Sequence, residues 1–445
     1  MAETIKVGMV SLGCPKNQCD AELMLAKIAK AGFKIVNEAG LADVVIINTC
    51  GFIQSAKEEA IEEIMEAINR KNDGINKKII VTGCLAERYQ KQMDEEFPEI
   101  DAVVGIAKND DIVEIINSVM LDRRVVTFGD KLCHNMEGDK LQSTLPHYAY
   151  LRIADGCSNK CSYCAIPLIR GKMRSRKMEN IIEEAKKFAE NGVKELVIVA
   201  QDVTAYGIDL YKKYALPDLL KQLCKIDGIK WIRLLYCYPE RMTELIETIK
   251  TEDKVLNYID IPIQHCNKEI LRNMYRGGDE QSLRELFAKL RREIPGVVLR
   301  TTLITGFPGE TEEQFSELAE FVNDIKFERL GCFAYSAEED TPAAEMPDQV
   351  DEGERQRRAD IITSEQEIRM GEYYAGMVGN TYEVVCEGFD RYSDMYFGRS
   401  MHFAPEIDGM IYFTSAKDKG SLTIGDFVNV KITDVLENNL LGERV

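Results

Sequence analysis

The chain has 445 residues, which at roughly 150 residues per domain corresponds to about three domains, each long enough to bury its own core. Lys and Arg number 56 and Asp and Glu number 75, and the net charge of −19 repels phosphate backbones and favours basic partners. We find no signal-peptide pattern and no run of about 18 apolar residues, so we expect a cytoplasmic protein without membrane association. Thirteen cysteines, an odd number, indicate metal or redox chemistry rather than a disulfide framework.

The first predicted domain covers residues 4–120. Short apolar runs such as DVVIINT and KKIIVTG alternate there with amphipathic helical stretches in the order βαβαβαβ. This alternation is typical of an α/β fold with a doubly wound parallel sheet.

Two further folded regions follow. Repeated strand and helix patterns over residues 143–337 predict a full or partial parallel βα barrel. Residues 338–375 are acidic and turn-prone at first and then helical, which predicts a linker and one helix. Short strands separated by Gly, Asp and Ser clusters over residues 376–445 predict a small antiparallel β-barrel.

The densest cysteine motif is Cys157-x-x-x-Cys161-x-x-Cys164, which follows the first strand of the predicted βα barrel. Three thiolates on one short loop suit an iron–sulfur cluster that is bound at three irons, whereas structural zinc normally takes four closed ligands. The fourth iron would stay open for a substrate or cofactor. Chance clustering, or a zinc loop that borrows a remote ligand, remains the alternative interpretation.

A second set of three cysteines lies in the first domain. Cys14, Cys50 and Cys84 each follow an apolar strand, and the carboxyl ends of parallel strands meet at one crevice where ligands bind. These residues therefore predict a second three-thiolate cluster site. Small cysteines that cap buried strands are the alternative, and Cys19 could compete as a ligand.

The string Cys157–Cys164 resembles the signature of radical S-adenosylmethionine (SAM) enzymes, and Tyr163 matches the aromatic residue that usually precedes the last cysteine. The three upstream cysteines and the terminal barrel resemble the methylthiotransferases of that superfamily, which join a methylthiotransferase domain, a radical SAM core and a TRAM domain. Within them, SLGCPKN, INTCGFI and CAIPLIRGKMRSR are similar to the RimO branch, which modifies an aspartate of ribosomal protein twelve of the small subunit. Cys19 and Ala21 depart from the usual string of that branch.

The resemblance implies two 4Fe-4S clusters, SAM and a reaction in two stages. A methyl group first passes from SAM to a sulfur atom associated with the cluster of Cys14, Cys50 and Cys84. The other cluster then generates a 5′-deoxyadenosyl radical, which takes hydrogen from the β-carbon of the aspartate so that the methylthio group can bind there. The implied partners are the basic ribosomal protein and an electron donor of unknown identity.

Further site residues are expected at the carboxyl ends of the barrel strands, where active sites of such barrels form. Gln201 and Asp202 follow one strand, although Asp202 could equally cap a turn, and Gln264 follows another. Arg300 and Gly306 resemble the segment that lies along the ribose and methionine of SAM. We therefore expect Tyr163, Gln201, Arg300 and Gly306 to bind the cofactor, and Asp202 and Gln264 to act in catalysis.

Two rival functions use the same cysteines. A tRNA adenosine methylthiotransferase should have an electropositive terminal barrel, whereas residues 376–445 hold eleven acidic and six basic residues, which opposes RNA binding. The acidic barrel, with Glu387 and Asp390 expected to be exposed, fits a basic protein partner better. An iron–sulfur electron carrier would need neither the SAM-side strand ends nor a chain of this length.

Overall fold

The computed structural model describes residues 4–416 and 419–445, and its first domain is a parallel sheet with helices on both faces. The strands are β1 (Lys6–Ser11), β2 (Lys34–Val36), β3 (Val44–Thr49), β4 (Lys78–Gly83), β5 (Ala102–Val104) and β6 (Val125–Thr127). The helices are α1 (Pro15–Lys30), α2 (Gln54–Asn72), α3 (Cys84–Glu96) and α4 (Ile112–Met120). The strand order β2-β1-β3-β4-β5-β6 reverses between β1 and β3, which confirms the doubly wound prediction and places a ligand crevice there.

Two short strands of this sheet were absent from the predicted order. β2 has only three residues and β6 follows the predicted boundary at residue 120. Both lie at sheet edges, where a strand needs little apolar sequence because one side meets no neighbour.

The central domain is a second parallel sheet that curves without closing, as the prediction of a partial barrel requires. Its strands are β7 (Tyr148–Arg152), β10 (Glu195–Val199), β11 (Trp231–Leu234), β12 (Val255–Asp260), β13 (Val298–Thr305) and β14 (Arg329–Ala334), in the order β14-β13-β12-β11-β10-β7, while β8 (Ala154–Asp155) and β9 (Arg174–Ser175) form a separate ribbon. Its helices are α5 (Ile166–Arg170), α6 (Met178–Glu190), α7 (Ile208–Tyr211), α8 (Leu216–Leu223), α9 (Thr243–Thr251), α10 (Lys268–Asn273), α11 (Glu280–Glu293) and α12 (Glu312–Ile325). The longer helices bury their apolar stripes on one face of the sheet, and this layer is the largest core of the protein.

A long helix, α13 (Glu352–Met377), leads from the central domain into a closed five-stranded barrel. The barrel strands are β15 (Thr381–Asp390), β16 (Met395–Ser400), β17 (Ile411–Thr414), β18 (Phe427–Leu436) and β19 (Asn439–Arg444). The pairings are antiparallel except for β17 with β19, which are parallel. Among the described residues no helix is long and apolar enough to cross a membrane.

The terminal barrel packs against residues at and near the starts of the central strands, opposite the end that carries the Cys157–Cys164 loop. Tyr148 and Tyr258 donate hydrogen bonds of 2.7 Å to Glu406 and Asp408 of the barrel domain. Several acidic residues of this domain therefore face inward and serve the domain contact. They are not free to attract a partner.

Glu387 corrects the expectation that it would be exposed. It is buried, where Arg399 donates to its Oε1 at 2.7 Å and His147 Nε2 lies 3.0 Å from the same atom. Arg399 also reaches Glu195 at 2.9 Å, and Arg233 pairs with Glu195 at 2.6 Å. The alternation of apolar and polar residues along β15 does not reveal that Glu387 is buried, because His147, which covers it, comes from another domain.

This buried ion network predicts acid-sensitive docking of the barrel. Burial raises the pKa of Glu195, but Arg399 and Arg233 outweigh it and lower the pKa to about 2. A carboxylate with a lowered pKa stabilises the fold fully above its ordinary value of 4.5 and loses that contribution as pH falls toward 2. Glu195→Gln should therefore lower the free energy of unfolding by about 3 kcal/mol at neutral pH, and this difference from wild type should shrink below about pH 4.5.

Trp231 provides the measurement, since it is the single tryptophan and its ring lies 4.8 Å from Phe427 across the same interface. Urea unfolding, monitored by the fluorescence of Trp231, should show the lower free energy of unfolding of Glu195→Gln. Glu383→Gln is the matched control, because Glu383 pairs with Lys230 at the exposed rim of the interface. Equal effects of the two substitutions at neutral pH would contradict the prediction.

Candidate functional site

Cys14, Cys50 and Cys84 come together at the carboxyl edge of the first sheet. Cys14 caps α1, Cys50 follows β3, and Cys84 begins α3 directly after β4. Cys14 and Cys50 thus lie on the two sides of the point where the strand order reverses.

Glycines beside the cysteines allow these loops to approach so closely. A Cβ on Gly13 would lie 2.7 Å from Cys50 Sγ, and a Cβ on Gly51 would lie 2.8 Å from the backbone of Leu85. Gly13 has φ of +84°, which residues with a side chain rarely adopt. The approach brings the three sulfurs to one place.

Cys19 lies elsewhere, which removes it as a competing ligand in this structure. It is fully buried on the face of α1 that packs against the central sheet, and its Sγ donates to the carbonyl oxygen of Tyr150 at 3.6 Å.

Cys157, Cys161 and Cys164 occupy the loop between the ribbon strand β8 and helix α5, at the carboxyl end of β7. The backbone N–H of Cys157 donates to Gly171 at 3.1 Å, which holds the start of the loop against the segment after α5. Cys84 packs against Ala165 and Ile169, so the two sets of cysteines face each other across a narrow contact.

The surroundings of the six sulfurs fit iron–sulfur clusters. Backbone N–H groups donate to four of them, namely Cys14, Cys50, Cys157 and Cys164. The other two face side chains: Arg170 Nη2 lies 3.6 Å from Cys84, while Tyr238 Oη and Arg276 Nη1 lie 3.5 and 3.9 Å from Cys161. Hydrogen bonds of this kind stabilise cluster thiolates and set cluster potentials.

The spacing of the side chains does not fit a single ion. Across residues 4–416 and 419–445, no three His, Cys, Asp or Glu side chains are grouped as they would be around one metal ion. A cluster that takes one thiolate on each of three irons needs wider spacing than a mononuclear zinc site does.

The thiols differ in their affinity for protons. Burial raises the pKa of Cys84 and of Cys164 to about 12 and that of Cys157 to about 11, so these sulfurs keep their protons until a metal displaces them. Burial acts in the same direction on Cys14, but Lys16 and Arg170 outweigh it and lower the pKa of this thiol.

A buried ion network connects the two cysteine sets. The guanidinium of Arg170 donates to Asp155 at 3.1 Å, to Asp20 at 2.9 Å and to Asn17 at 3.2 Å, in addition to Cys84. His134 lies within 3.1 Å of both Asp20 and Asp155. Burial raises the pKa of Asp155, but Arg170 and His134 outweigh it and lower the pKa well below its usual range.

The expected cofactor residues lie around the Cys157–Cys164 loop. Gln201 donates to Asp155 at 3.2 Å, while its buried Oε1 has no hydrogen-bond partner and could accept from a ligand. Arg300 pairs with Asp260 at 2.8 Å, and Tyr163 packs beside Phe307 and Met274.

The backbone of Gly306 closely approaches another segment of the protein. A Cβ there would lie 2.4 Å from Arg355 of α13, so the missing side chain accommodates that arginine.

The two expected catalytic residues have structural contacts. Asp202 Oδ1 caps the turn after β10 by accepting from Ala205 N at 3.2 Å. Its Oδ2 accepts from Asn159 of the cysteine loop at 2.8 Å and pairs with Arg241. Gln264 has φ of +71° and joins β13 through its backbone, accepting from Ile304 N at 2.8 Å. Asp202 thus stabilises the loop, and strained backbone at Gln264 is typical of a functional strand end.

Four residues of the site were not selected from the sequence. Lys16 lay inside a motif that was selected for its cysteine, and Tyr236, Tyr238 and Arg276 belong to loops without a recognisable pattern. Only Lys16 had a sequence signal, because it stands two residues after a predicted ligand.

Comparison with known proteins identifies the class. Three family models match: the uncharacterized protein family UPF0004 over residues 6–105, the radical SAM superfamily over residues 151–322 and the TRAM domain over residues 378–445. The structure of the radical SAM methyltransferase TsrM from Kitasatospora setae superposes with a TM-score of 0.57 at 14% identity, covering 77% of each chain. This likeness shows the fold over about three quarters of the chain. The class, that of radical SAM enzymes, follows from the family model over residues 151–322.

Two full-length relatives identify the family. The chain is 48% identical to the ribosomal protein uS12 methylthiotransferase RimO of Caldanaerobacter subterraneus subsp. tengcongensis, over 98% of this chain and 99% of the relative. It is 47% identical to the protein of the same name from a Thermoanaerobacter species, with the same coverage. The chain belongs to the RimO family of methylthiotransferases, and the resemblance found in its motifs is confirmed.

The contact of Arg276 with Cys161 predicts a shift in reduction potential. A reduced cluster carries one more negative charge, and a buried cation beside it stabilises that state. Arg276→Gln should therefore make the potential of this cluster more negative, by roughly tens of millivolts. A redox titration monitored by electron paramagnetic resonance measures this potential. The titration uses a variant in which Cys14, Cys50 and Cys84 are replaced by Ala, so that only one cluster is titrated.

Arg272→Gln is the control, since Arg272 lies on the exposed side of α10 and should leave the potential unchanged. An unchanged or less negative potential in Arg276→Gln would contradict the assignment of Arg276 to this cluster.

Proposed function

We propose that this protein methylthiolates the β-carbon of an aspartate in ribosomal protein uS12. The observation that carries the proposal is the juxtaposition of two cysteine triads, with Cys84 of one packed against Ala165, the residue after Cys164 of the other. An enzyme that passes a group from one cluster site to a radical formed at the other requires such proximity. An electron carrier would need neither the SAM-side strand ends nor a chain of this length.

We propose three functional regions along the chain. Residues 4–120 with the added strand β6 hold the auxiliary cluster, residues 143–337 hold the radical SAM cluster, and residues 376–445 form the TRAM barrel, joined by the linker and helix of residues 338–375. The proposal follows the separate sheets and their separate cores.

The proposed ligands are Cys14, Cys50 and Cys84 for the auxiliary 4Fe-4S cluster and Cys157, Cys161 and Cys164 for the radical SAM cluster. When bound, the clusters and SAM supply methyl transfer and the 5′-deoxyadenosyl radical. The chain positions these groups: Asp202 holds the cysteine loop through Asn159, and Arg170 holds the auxiliary site against that loop. Gln201 and Arg300 border the space beside the loop, where SAM would bind.

We propose the ribosomal protein as the macromolecular substrate and disfavour tRNA, since residues 376–445 carry eleven acidic and six basic residues and this excess of negative charge opposes binding to a phosphate backbone. We propose a cytoplasmic location, because the substrate would be a ribosomal component. We also propose an electron donor as a partner, because the radical SAM cluster must be reduced before it cleaves SAM.

Iron content tests the ligand assignment. Anaerobically reconstituted protein should carry about eight irons, because two triads each bind a four-iron cluster. Replacing Cys14, Cys50 and Cys84 with Ala should remove about four irons, as should replacing Cys157, Cys161 and Cys164. Cys19→Ala is the control and should leave the iron content unchanged, because its sulfur faces the carbonyl of Tyr150. Loss of iron from the control would overturn the assignment.

Product analysis tests the division of labour. The variant without Cys157, Cys161 and Cys164 should form no 5′-deoxyadenosine, because no reduced cluster can cleave SAM. The variant without Cys14, Cys50 and Cys84 should still cleave some SAM while transferring no sulfur. Chromatography of the SAM products distinguishes these outcomes. Methylthiolated product from the second variant would refute the mechanism.

The substrate is tested directly by anaerobic incubation with small ribosomal subunits and with tRNA, followed by mass spectrometry of both. We expect one methylthio group in place of one hydrogen on a single peptide of uS12. Modification of a tRNA adenosine with an unmodified ribosomal protein would replace this function by that of a tRNA methylthiotransferase.

A further inference from the structure

Lys16 is a buried lysine whose charged neighbour is the thiol of Cys14, a proposed cluster ligand, rather than a carboxylate. It lies in the first turn of α1, two residues after Cys14, and only 6% of it is exposed. Its Nζ lies 3.6 Å from the centroid of the Tyr236 ring. Of the carboxylates that the structure describes, none comes within ion-pair distance of this ammonium.

This environment favours binding of an anion. Burying an ammonium group is costly unless a charged or hydrogen-bonding partner compensates for the lost water. A cation–π contact supplies only part of that compensation. Arg170 and Arg300, two cations of the same region, are paired with Asp155 and Asp260. Lys16 has no such carboxylate in the described part of the chain, so its ammonium can still pair with an anionic ligand when Cys14 binds a cluster.

Backbone geometry holds the aromatic ring that positions the lysine. Tyr236 follows β11 at its carboxyl end and has φ of +63°, a conformation that the surrounding contacts must enforce. Its N–H donates to Asp260 at 2.9 Å, and two residues later Tyr238 reaches Cys161. The ring of Tyr236 therefore fixes the ammonium of Lys16 close to Cys14, and the segment that carries this ring contacts Cys161 through Tyr238.

We propose that Lys16 binds the carboxylate of the substrate side chain and so selects an acidic residue for modification. The inference rests on the proposed function. In aspartate the β-carbon is bonded directly to the carboxylate carbon, so an ion pair at Nζ fixes the position of the carbon that loses hydrogen and gains the methylthio group. Because the lysine stands two residues from Cys14, this carbon lies beside the auxiliary site.

The test uses full-length reconstituted enzyme and two forms of uS12, one with the target aspartate and one with asparagine in its place. Lys16→Gln should lower kcat/KM for the aspartate form by about tenfold to a hundredfold and change that for the asparagine form little, because only the ion pair is lost. The preference for aspartate should fall by the same factor. Lys16→Arg should restore part of it.

Lys30→Gln is the matched control, since Lys30 ends the same helix on its exposed side. It should behave as wild type with both forms of uS12. Iron content, the paramagnetic resonance spectrum of the auxiliary cluster and the KM for SAM should be unchanged in Lys16→Gln, and Lys16→Met provides a second neutral variant if the glutamine variant retains too little iron.

Three results would overturn the inference. An undiminished preference for aspartate in an iron-replete neutral variant would show that Lys16 does not bind the carboxylate. Loss of iron or an altered auxiliary-cluster spectrum in both neutral variants would make the lysine a counter-ion of the cluster, and a raised KM for SAM would assign it to the carboxylate of SAM. Wild-type enzyme that leaves both forms of uS12 unmodified would instead refute the proposed function itself.

Discussion

The guanidinium of Arg170 is the contact on which the arrangement of the two cysteine triads depends. It comes from the helix after the Cys157–Cys164 loop, yet three of its partners, Asn17, Asp20 and Cys84, belong to the first domain. Removing one member of such a buried network leaves an uncompensated charge, which typically costs about 3–5 kcal/mol. The network therefore does more than join two domains. It sets the distance between the two cysteine triads, between which the reaction must pass the methylthio group.

The charged side chains that contact the cysteine sulfurs are opposite in sign to the net charge of the chain. The net charge is −19, whereas Lys16, Arg276 and Arg170 place cations around the sulfurs. In a site of low dielectric these cations act at short range on anionic ligands, while the outer charges are screened within about 8 Å at physiological salt. Binding of clusters, SAM and an acidic side chain is governed by the interior set.

The terminal barrel shows that a charge count does not describe a surface. Its acidic excess suggested a face that attracts a basic partner, but Glu387, Glu406 and Asp408 hold the barrel to the central domain. A buried carboxylate that is paired with arginine or tyrosine exerts little field on solvent. Any steering of the ribosomal protein must depend on the remaining carboxylates and on aromatic side chains such as the fully exposed Tyr392.

The sequence by itself determined the three folded regions and the two cysteine triads. Strand periodicity and motif spacing are local properties, and the carboxyl ends of parallel strands must meet at one edge, so Cys14, Cys50 and Cys84 could be brought together without coordinates. The short edge strands β2 and β6 were not predicted, because they bury too little apolar surface to leave a pattern in the sequence.

Tertiary structure alone decided which charged residues meet across domains. The contacts of Asp202 with Ala205 and with Asn159 of the cysteine loop are visible only in the folded structure. Glu387 has no local feature that separates it from an exposed carboxylate, and its partners His147 and Arg399 lie in different domains. Lys16 stood in a selected motif, but its isolation from carboxylates and its position over Tyr236 depend on how the first domain packs on the second, because long-range ion pairing leaves no periodic signal in a sequence.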